Sequence, residues 1–311
     1  MSDLYPKGVF CAALTPVGED LSPDVPALAR HCRWLIEQGC DGVALLGTTG
    51  EANSFSAAQR MRLLEGVIEA GVPAERLLPG TGCAALADTV ELTRHAASTG
   101  VAGVVLLPPF YYKDVTVDGL AASYQAVIER VADPRLKVVL YHIPPIAQVP
   151  LPMALIERLR ERHPETVVGI KDSGGDLAHM VELVRRFPGL SVLAGADPLM
   201  LPLLREGGAG CITATSNIGA AELATIYAHW RDPARQDEVE TAQARISELR
   251  ARVSRWPQIA ALKAATALRL GEPGWGRMVP PLMPLTAAER EALREAMAAP
   301  LPGAGHGSRS E

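Results

Sequence analysis

Lys171 is the residue of this chain whose position most directly suggests covalent chemistry. It lies near the end of an apolar segment, 167–171, that has the composition of a buried β-strand. A buried ammonium must be paired, reach water through its long stem, or lose its proton, and a neutral amine is a nucleophile toward carbonyl carbons. The sequence therefore predicts a Schiff-base lysine. A solvated or salt-bridged lysine at a strand end is the alternative.

Other polar side chains follow the ends of neighbouring predicted strands. Tyr141 lies late in the strand that precedes the one carrying Lys171, and Thr48 and Thr49 lie in a glycine-flanked turn at 47–51. Because side chains alternate between the two faces of a strand, neighbouring strands can bring the amine and the phenol together. The turn offers amides and hydroxyls that suit a carboxylate. The alternatives are a core tyrosine and a turn with no ligand.

Short apolar segments alternate with amphipathic segments over about two-thirds of the chain, which is typical of βα units around a parallel sheet. The predicted strands are 8–16, 42–47, 76–81, 103–108, 137–143, 167–172, 191–196 and 210–215. The predicted helices between them are 24–38, 57–70, 84–98, 118–131, 152–162, 176–186 and 198–206. Eight strands favour an α/β fold closed into a (β/α)8 TIM barrel. An open doubly wound sheet is the alternative, but no Gly-x-Gly-x-x-Gly follows the first strand.

The predicted barrel places the polar candidates on one rim. In a parallel barrel the reacting groups gather at the carboxyl ends of the strands and in the loops that follow. Lys171, Tyr141, Thr48 and Thr49 all fall there, and Tyr111 follows the fourth strand. For Tyr111, loop packing and a subunit contact remain equally open interpretations.

Strand signals stop after residue 217, and helical patterns continue near 219–230, 234–253, 258–270 and 286–298. We therefore predict a barrel at 1–217, a helical subdomain packed on it at 218–299, and a mobile tail at 300–311. The tail is too small and polar to pack against a core.

Composition excludes several classes of protein. Hydrophobic residues make up 48% of the 311 residues and charged residues 21%, which excludes disorder for most of the chain. The net charge of −5 comes without a basic stripe, so nucleic acid is not an expected partner. No apolar run approaches the ~20 residues that span a bilayer, and the first residues lack an export signal. We expect a cytoplasmic protein with no membrane partner.

Metal chemistry has little support in the sequence. The five cysteines form no Cys-x-x-Cys pair, and the seven histidines show no His-Glu-x-x-His pattern. Reduced, mostly buried thiols and no metal are the expectation, although folding could still assemble a dispersed site.

Four short motifs together resemble a known family. They are Gly47-Thr48-Thr49-Gly50-Glu51, Pro109-Phe110-Tyr111-Tyr112, Tyr141-His142-Ile143-Pro144 and Gly169-Ile170-Lys171-Asp172. Their order and spacing are similar to those of the dihydrodipicolinate synthase and N-acetylneuraminate lyase family, from about residue 6 to residue 298. The resemblance implies a (β/α)8 barrel with a helical C-terminal part, a homotetramer built from tight dimers, and no metal or organic cofactor.

The resemblance also implies a role for each catalytic candidate. Lys171 would form an imine with the keto carbon of pyruvate or another 2-oxo acid, whose carboxylate Thr48 and Thr49 would bind. Tyr141 would transfer protons as general acid and base. Thr49 would link it to Tyr111, which in this family is contributed across the dimer interface.

Further substrate contacts follow from the same resemblance. Ile212 matches the position that packs against the bound 2-oxo acid, and Ser173 and Asp197 are candidate polar contacts. His142 stands where the family commonly has asparagine. It either contacts substrate or closes a local hydrogen bond.

Three departures from the family pattern bear on the second substrate. Ile146 replaces the arginine with which dihydrodipicolinate synthases hold a carboxylate, so a bidentate cation has become a hydrocarbon. Pro198 and Ala214 replace a glutamate and a serine of the sialic acid lyases. Both of those assignments are therefore disfavoured.

The sequence thus predicts a pyruvate-type class I aldolase or lyase. It would act with pyruvate and an aldehyde to cleave or form a 2-keto-3-deoxy sugar acid or a related 4-hydroxy-2-oxo acid. The alternatives are 4-hydroxy-tetrahydrodipicolinate synthase and a non-catalytic sensor of 2-oxo acids.

Overall fold

The computed structural model describes residues 5–303 of the chain. Within them, seven regular strands form one parallel sheet. The strands are β1 (Gly8–Ala12), β2 (Gly42–Ala44), β3 (Val104–Leu106), β4 (Val138–His142), β5 (Val167–Asp172), β6 (Ser191–Ala194) and β7 (Gly210–Thr213). Their order is β2-β1-β7-β6-β5-β4-β3, so the first and last strands of the chain pair with each other.

The segment 77–81 lies between the two edge strands and nearly closes the sheet. Leu77 forms a parallel bridge to β2, and Gly80 forms one to β3. Pro79 has no N–H to donate, so a regular ladder is interrupted at that point. The predicted TIM-barrel fold is confirmed, with seven regular strands and this bridged segment in place of the predicted strand at 76–81.

Helices follow the strands and cover the outside of the barrel close to the predicted positions. They are α1 (Val25–Glu37), α2 (Ala57–Glu69), α3 (Leu86–Ser98), α4 (Val117–Val131), α5 (Pro144–Ala147), α6 (Met153–Arg162), α7 (Leu177–Arg186), α8 (Met200–Arg205), α9 (Ser216–His229), α10 (Gln236–Val253), α11 (Gln258–Leu270) and α12 (Ala287–Ala298). The short α5 was not predicted. The helix α9 begins earlier than predicted, and a kink with non-helical backbone angles at Gly219 divides it.

Local sequence fixes several helix starts. Ser56 caps α2 in a reciprocal capping box with Gln59, and Thr286 caps α12 in the same way with Glu289. Each box satisfies backbone N–H groups that the first turn of a helix would leave without partners.

Alternation along the strands divides the apolar side chains between two cores. Val139 and Tyr141 lie in the barrel interior, whereas Val138 and Leu140 pack outward against the helices. Because a register shift follows Val138, β5 has one extra residue beside β4. The bulge therefore interrupts simple period-two alternation early in β5.

The C-terminal helices pack on the carboxyl end of β1. Leu14, which follows that strand, shares a buried cluster with residues of α11 and α12 such as Leu262 and Leu293. The predicted tail at 300–311 lies mostly outside the described residues, but the carbonyls of Pro300 and Pro302 accept hydrogen bonds from arginines of α10. No helix between residues 5 and 303 is both long and apolar enough to span a bilayer.

Candidate active site

Lys171 and Tyr141 lie side by side on β5 and β4. The parallel register pairs the two residues directly, and each side chain is 5% exposed. The amine nitrogen of Lys171 lies 4.2 Å from the centroid of the Tyr141 ring. The structure therefore brings together the two side chains that the sequence predicted as nucleophile and proton carrier.

Charge and hydrogen bonding tune the phenol of Tyr141. Burial would raise its pKa, but the charge of Lys171 and hydrogen bonding with Thr48, Lys171 and Ser173 outweigh burial and leave the pKa below its usual value of 10. A lowered pKa increases the phenolate fraction near neutral pH, which suits a group that must both accept and donate a proton.

The turn at 47–51 lies at the carboxyl end of β2, beside this pair. The amide of Glu51 donates to the carbonyl of Thr48, and the hydroxyl of Thr15 donates to the carbonyl of Gly50 at 2.8 Å. Within residues 5–303, the amides of Thr48 and Thr49 donate to no other group. These half-buried amides are thus available to an external acceptor such as a carboxylate.

A buried ion pair holds the end of this turn. The carboxylate of Glu51 pairs with the amine of Lys263 on α11, and both side chains are fully buried. The same amine donates to the carbonyl of Arg277 at 2.8 Å, and the amide of Val279 donates to the Glu51 carboxylate at 3.2 Å. Lys263 was not predicted as a functional residue, although a lysine between Leu262 and two alanines is a visible signal in the sequence.

A cavity of about 410 Å³ opens above these groups. Its lining includes Tyr141, Thr48 and Gly47, together with Ile146. Lys171 is not part of the lining. Its amine contacts the ring of Tyr141, and Tyr141 does line the cavity. The pair therefore lies at the inner end of a space large enough for a small acid.

Two further predicted residues lie near the phenol. Ser173 takes part in the hydrogen bonding that lowers the pKa of Tyr141, and an added Cβ at Gly195 would lie 2.0 Å from the Ser173 hydroxyl oxygen. The glycine thus leaves room for the serine. Ile212, on β7, is fully buried in the same interior cluster as Tyr141.

Three other predicted residues are directed elsewhere. His142 follows Tyr141 on β4, and its Nδ1 accepts a hydrogen bond from the amide of Leu151. Asp197 is fully buried and accepts a hydrogen bond from the Thr215 hydroxyl at 2.7 Å. Tyr111 is 71% exposed on its loop. None of the three lines the cavity of its own chain.

One group of side chains has the composition of a metal site. Potential ligand atoms of His142, Asp172 and His179 lie within 4.8 Å of one another. Asp172 already bonds to His179 at 2.6 Å and accepts from the amide of Gly174 at 2.8 Å. His142 and Asp172 each follow an inward-facing residue, so the group lies on the opposite face of the two strands from Tyr141 and Lys171.

The chain matches the model of a known protein family over almost its whole length. Residues 5–299 match the model of the dihydrodipicolinate synthetase family. The chain belongs to this family. The resemblance predicted from the four motifs is therefore confirmed, and the protein is a lyase of the class I aldolase type.

Relatives in the dihydrodipicolinate synthetase family cover almost the whole chain. A DapA-like lyase of Chloroflexus aurantiacus, itself uncharacterized, is 38% identical, with 94% of this chain and 96% of the relative covered. A 4-hydroxy-tetrahydrodipicolinate synthase of Acidiphilium cryptum is 31% identical, with 93% and 97% covered.

Solved structures of family members have the same fold. YagE, an Escherichia coli K12 prophage protein solved in complex with pyruvate, has a TM-score of 0.86 at 26% identity, with 94% of this chain and 98% of that chain covered. Dihydrodipicolinate synthase of Agrobacterium tumefaciens has a TM-score of 0.83 at 29% identity, with the same coverage.

Proposed function

We propose that this member of the family uses Lys171 to form an imine with pyruvate and thereby cleaves or forms a 4-hydroxy-2-oxo acid, the class that includes 2-keto-3-deoxy acids. The observation that carries the proposal is the contact between the Lys171 amine and the Tyr141 ring at the inner end of the cavity. The solved complex of YagE with pyruvate supports pyruvate as the 2-oxo acid.

Lys171 begins the cleavage reaction. Its neutral amine adds to the keto carbon at position 2 of the substrate. The former keto oxygen then leaves as water with the proton of the Tyr141 phenol, which gives a protonated imine and the phenolate of Tyr141. The phenolate of Tyr141 then takes the proton of the 4-hydroxyl group, and the bond between carbons 3 and 4 breaks. Its electrons move into the imine to form an enamine, and the aldehyde leaves.

Tyr141 then returns its proton to carbon 3 of the enamine. Water hydrolyses the resulting protonated imine, which releases pyruvate, regenerates the neutral amine of Lys171 and returns one proton to the phenolate of Tyr141. The pKa of Tyr141 below its usual value supports this role, because the phenol must exchange its proton in both directions.

The turn at 47–51 would bind the carboxylate of the 2-oxo acid. The amides of Thr48 and Thr49 make no hydrogen bond within the described chain, and two amides in a turn suit an anion. Ser173 would support the phenol, and Ile212 would pack against the methyl or methylene carbon of the acid. His142 and Asp197 would contact only a substrate group that extends beyond this cavity, because neither residue lines it.

A second candidate function is 4-hydroxy-tetrahydrodipicolinate synthase, since several relatives carry that name. It predicts consumption of pyruvate with aspartate semialdehyde, whereas the first candidate predicts release of pyruvate from 4-hydroxy-2-oxo acids. A coupled assay of both reactions separates the two. Ile146 disfavours the synthase, because a hydrocarbon cannot pair with a second carboxylate.

We also propose a homotetramer built from two dimers. Tyr111 and Tyr112 are both largely exposed and pack edge to face on one loop, as a contact surface would require. In such a dimer, Tyr111 would reach the site of the neighbouring subunit. The link to Tyr141 that was expected through Thr49 would run through Thr48, because Thr48 is the threonine that hydrogen-bonds with Tyr141. Sedimentation at micromolar concentration tests the assembly.

The cytoplasm is the proposed location, in keeping with five free thiols.

Borohydride reduction with pyruvate tests the central step. The adduct should appear on the peptide that contains Lys171, because reduction makes the imine permanent. The Lys171→Met variant should fold and yield no adduct, whereas Lys137→Met, which removes a half-buried lysine outside the cavity, should still yield it. An adduct on another lysine, or none, would refute the imine. An adduct without turnover of any acid would favour a sensor.

A further inference from the structure

The outer part of the cavity is lined differently from its inner end. Tyr141 and Thr48 supply hydroxyl groups at the inner end, near the amine. Most of the exposed and half-buried side chains in the rest of the lining are apolar, namely Leu107, Ile146, Ile259, Pro281 and Leu282. A substrate chain that extends from Lys171 into this cavity would therefore meet a mainly apolar wall.

Ile146 is the most unusual member of this wall. It is 62% exposed, a large fraction for a branched apolar side chain. It lies on α5, directly after the strand that carries Tyr141, and Pro144 and Pro145 begin that helix. The amine of Lys113 donates to the carbonyl of Ala147 at 2.7 Å and so holds the end of α5 in place.

The lining offers little to a charged or many-hydroxyl chain. Within the described residues that line the cavity there is no arginine or lysine. Its carboxylate, Glu51, is already paired with Lys263 and accepts the Val279 amide. Asn53 and Ser54 are the other polar side chains of the lining, and they lie on the segment that follows the turn.

We infer that the aldehyde released from carbon 4 carries an uncharged apolar group, aromatic or branched aliphatic, and that Ile146 selects it. The inference rests on the proposed function and narrows its substrate class. Apolar area on the substrate would cover the exposed face of Ile146 and the neighbouring Leu282, which gains free energy in proportion to the area removed from water. A sugar chain would instead lose hydrogen bonds to water without replacement.

Two substrates of equal reaction chemistry test the inference. 4-Hydroxy-2-oxo-4-phenylbutanoate should be cleaved to pyruvate and benzaldehyde, and 2-keto-3-deoxygluconate to pyruvate and glyceraldehyde. In each case the bond between carbons 3 and 4 breaks, the 4-hydroxyl loses a proton and carbon 3 gains one. We expect kcat/KM to be higher for the phenyl substrate. A preference for the sugar acid would overturn the inference.

Ile146→Asn should lower kcat/KM for the phenyl substrate by about 10- to 200-fold, the usual range for small changes in an apolar subsite. The value for the sugar acid should not fall. Leu21→Asn is the matched control, since Leu21 is an exposed leucine away from the cavity whose positive φ an asparagine tolerates. Equal losses for both substrates, or no loss for either, would exclude Ile146 as the selecting residue.

Borohydride trapping separates the failure of this inference from the failure of the proposed function. If pyruvate is trapped on Lys171 in wild type and in Ile146→Asn, but the sugar acid is the better substrate, only the apolar subsite is wrong. If pyruvate is not trapped at all, the proposed function itself fails.

Discussion

Two lysines are buried in this protein, and their surroundings differ. Lys263, on α11, is fully buried, and its amine has a carboxylate and a carbonyl as partners. Lys171, on β5, is 5% exposed, and its amine faces the aromatic ring of Tyr141. Within the part of the chain that the structure describes, Lys171 forms no ion pair.

The difference separates a structural lysine from a reactive one. A charge removed from water needs a counter-charge and hydrogen bonds, and Lys263 has both. Burial lowers the pKa of Lys263, while the charge of Glu51 acts in the opposite direction. Lys171 instead lies beside a phenol at the inner end of a cavity, where an external carbonyl compound could become its partner.

The two lysines are connected through one turn. Glu51, the partner of Lys263, ends the segment 47–51, and Thr48, near its beginning, hydrogen-bonds with Tyr141 beside Lys171. The amine of Lys263 therefore anchors the turn at 47–51, which lies beside Lys171.

Tyr141→Phe tests whether the neighbour of Lys171 is a chemical group or only a packing surface. The variant keeps the ring and removes the proton carrier, so kcat should fall by about 10²- to 10⁴-fold. Pyruvate release from a 4-hydroxy-2-oxo acid measures this loss. Borohydride should still trap pyruvate on Lys171, although more slowly. An unchanged kcat would remove Tyr141 from the mechanism.

Lys263→Met tests the structural lysine. It leaves the Glu51 carboxylate buried without a counter-charge, which typically costs about 3–5 kcal/mol of stability. The free energy of unfolding in urea at neutral pH measures the effect. The double variant Glu51→Gln/Lys263→Met should recover part of the loss.

Lys171→Met is the control for this comparison. Because Lys171 has no carboxylate partner, its replacement strands no buried charge, and the free energy of unfolding should change far less. Equal destabilisation by the two single variants would contradict the division into a structural and a reactive lysine.

His31 is a buried histidine whose surroundings, like those of the two lysines, determine whether it carries a charge. Its Nε2 donates to the side-chain oxygen of Asn217 at 2.9 Å, and Arg269 donates to its Nδ1. Burial lowers the pKa of His31 from 6.5 to about 4, and the charge of Arg269 adds to this shift. The ring is therefore neutral in the folded protein at neutral pH.

This lowered pKa predicts a pH-dependent stability. Between pH 6.5 and about 4 the unfolded chain binds a proton that the folded chain does not, so stability falls as the pH falls through that window. The loss from His31 is complete below about pH 4 and amounts to about 3 kcal/mol. Urea unfolding at several pH values should show a shallower decline in His31→Gln. Identical slopes in both proteins would contradict the assignment.

Much of the fold was predictable because its signals are local. The residues from Val138 to Tyr141 alternate between two cores, and this period of two can be read from a short segment. The capping residues Ser56 and Thr286 are likewise visible in the sequence. A strand at 76–81 was predicted, but its reduction to two isolated bridges was not, because whether Pro79 interrupts the ladder depends on the strands beside it.

The candidate site was predictable to the extent that it follows strand ends. Position alone placed Lys171 and Tyr141 on neighbouring strands, as the register shows. Position could not reveal that Asp197 turns to Thr215 or that Lys263 pairs with Glu51, because these partners are far apart in the chain. Such long-range pairs depend on packing.

The pair of Glu51 and Lys263 has a consequence for how this protein can be divided. A chain cut after β7 would retain the carboxylate of the turn but lose the amine that neutralises it. We therefore expect the isolated barrel to fold poorly and to misplace the turn. Because the barrel supplies Glu51 and the helical extension supplies Lys263, exchanging the extension between relatives should succeed only where both charges are kept.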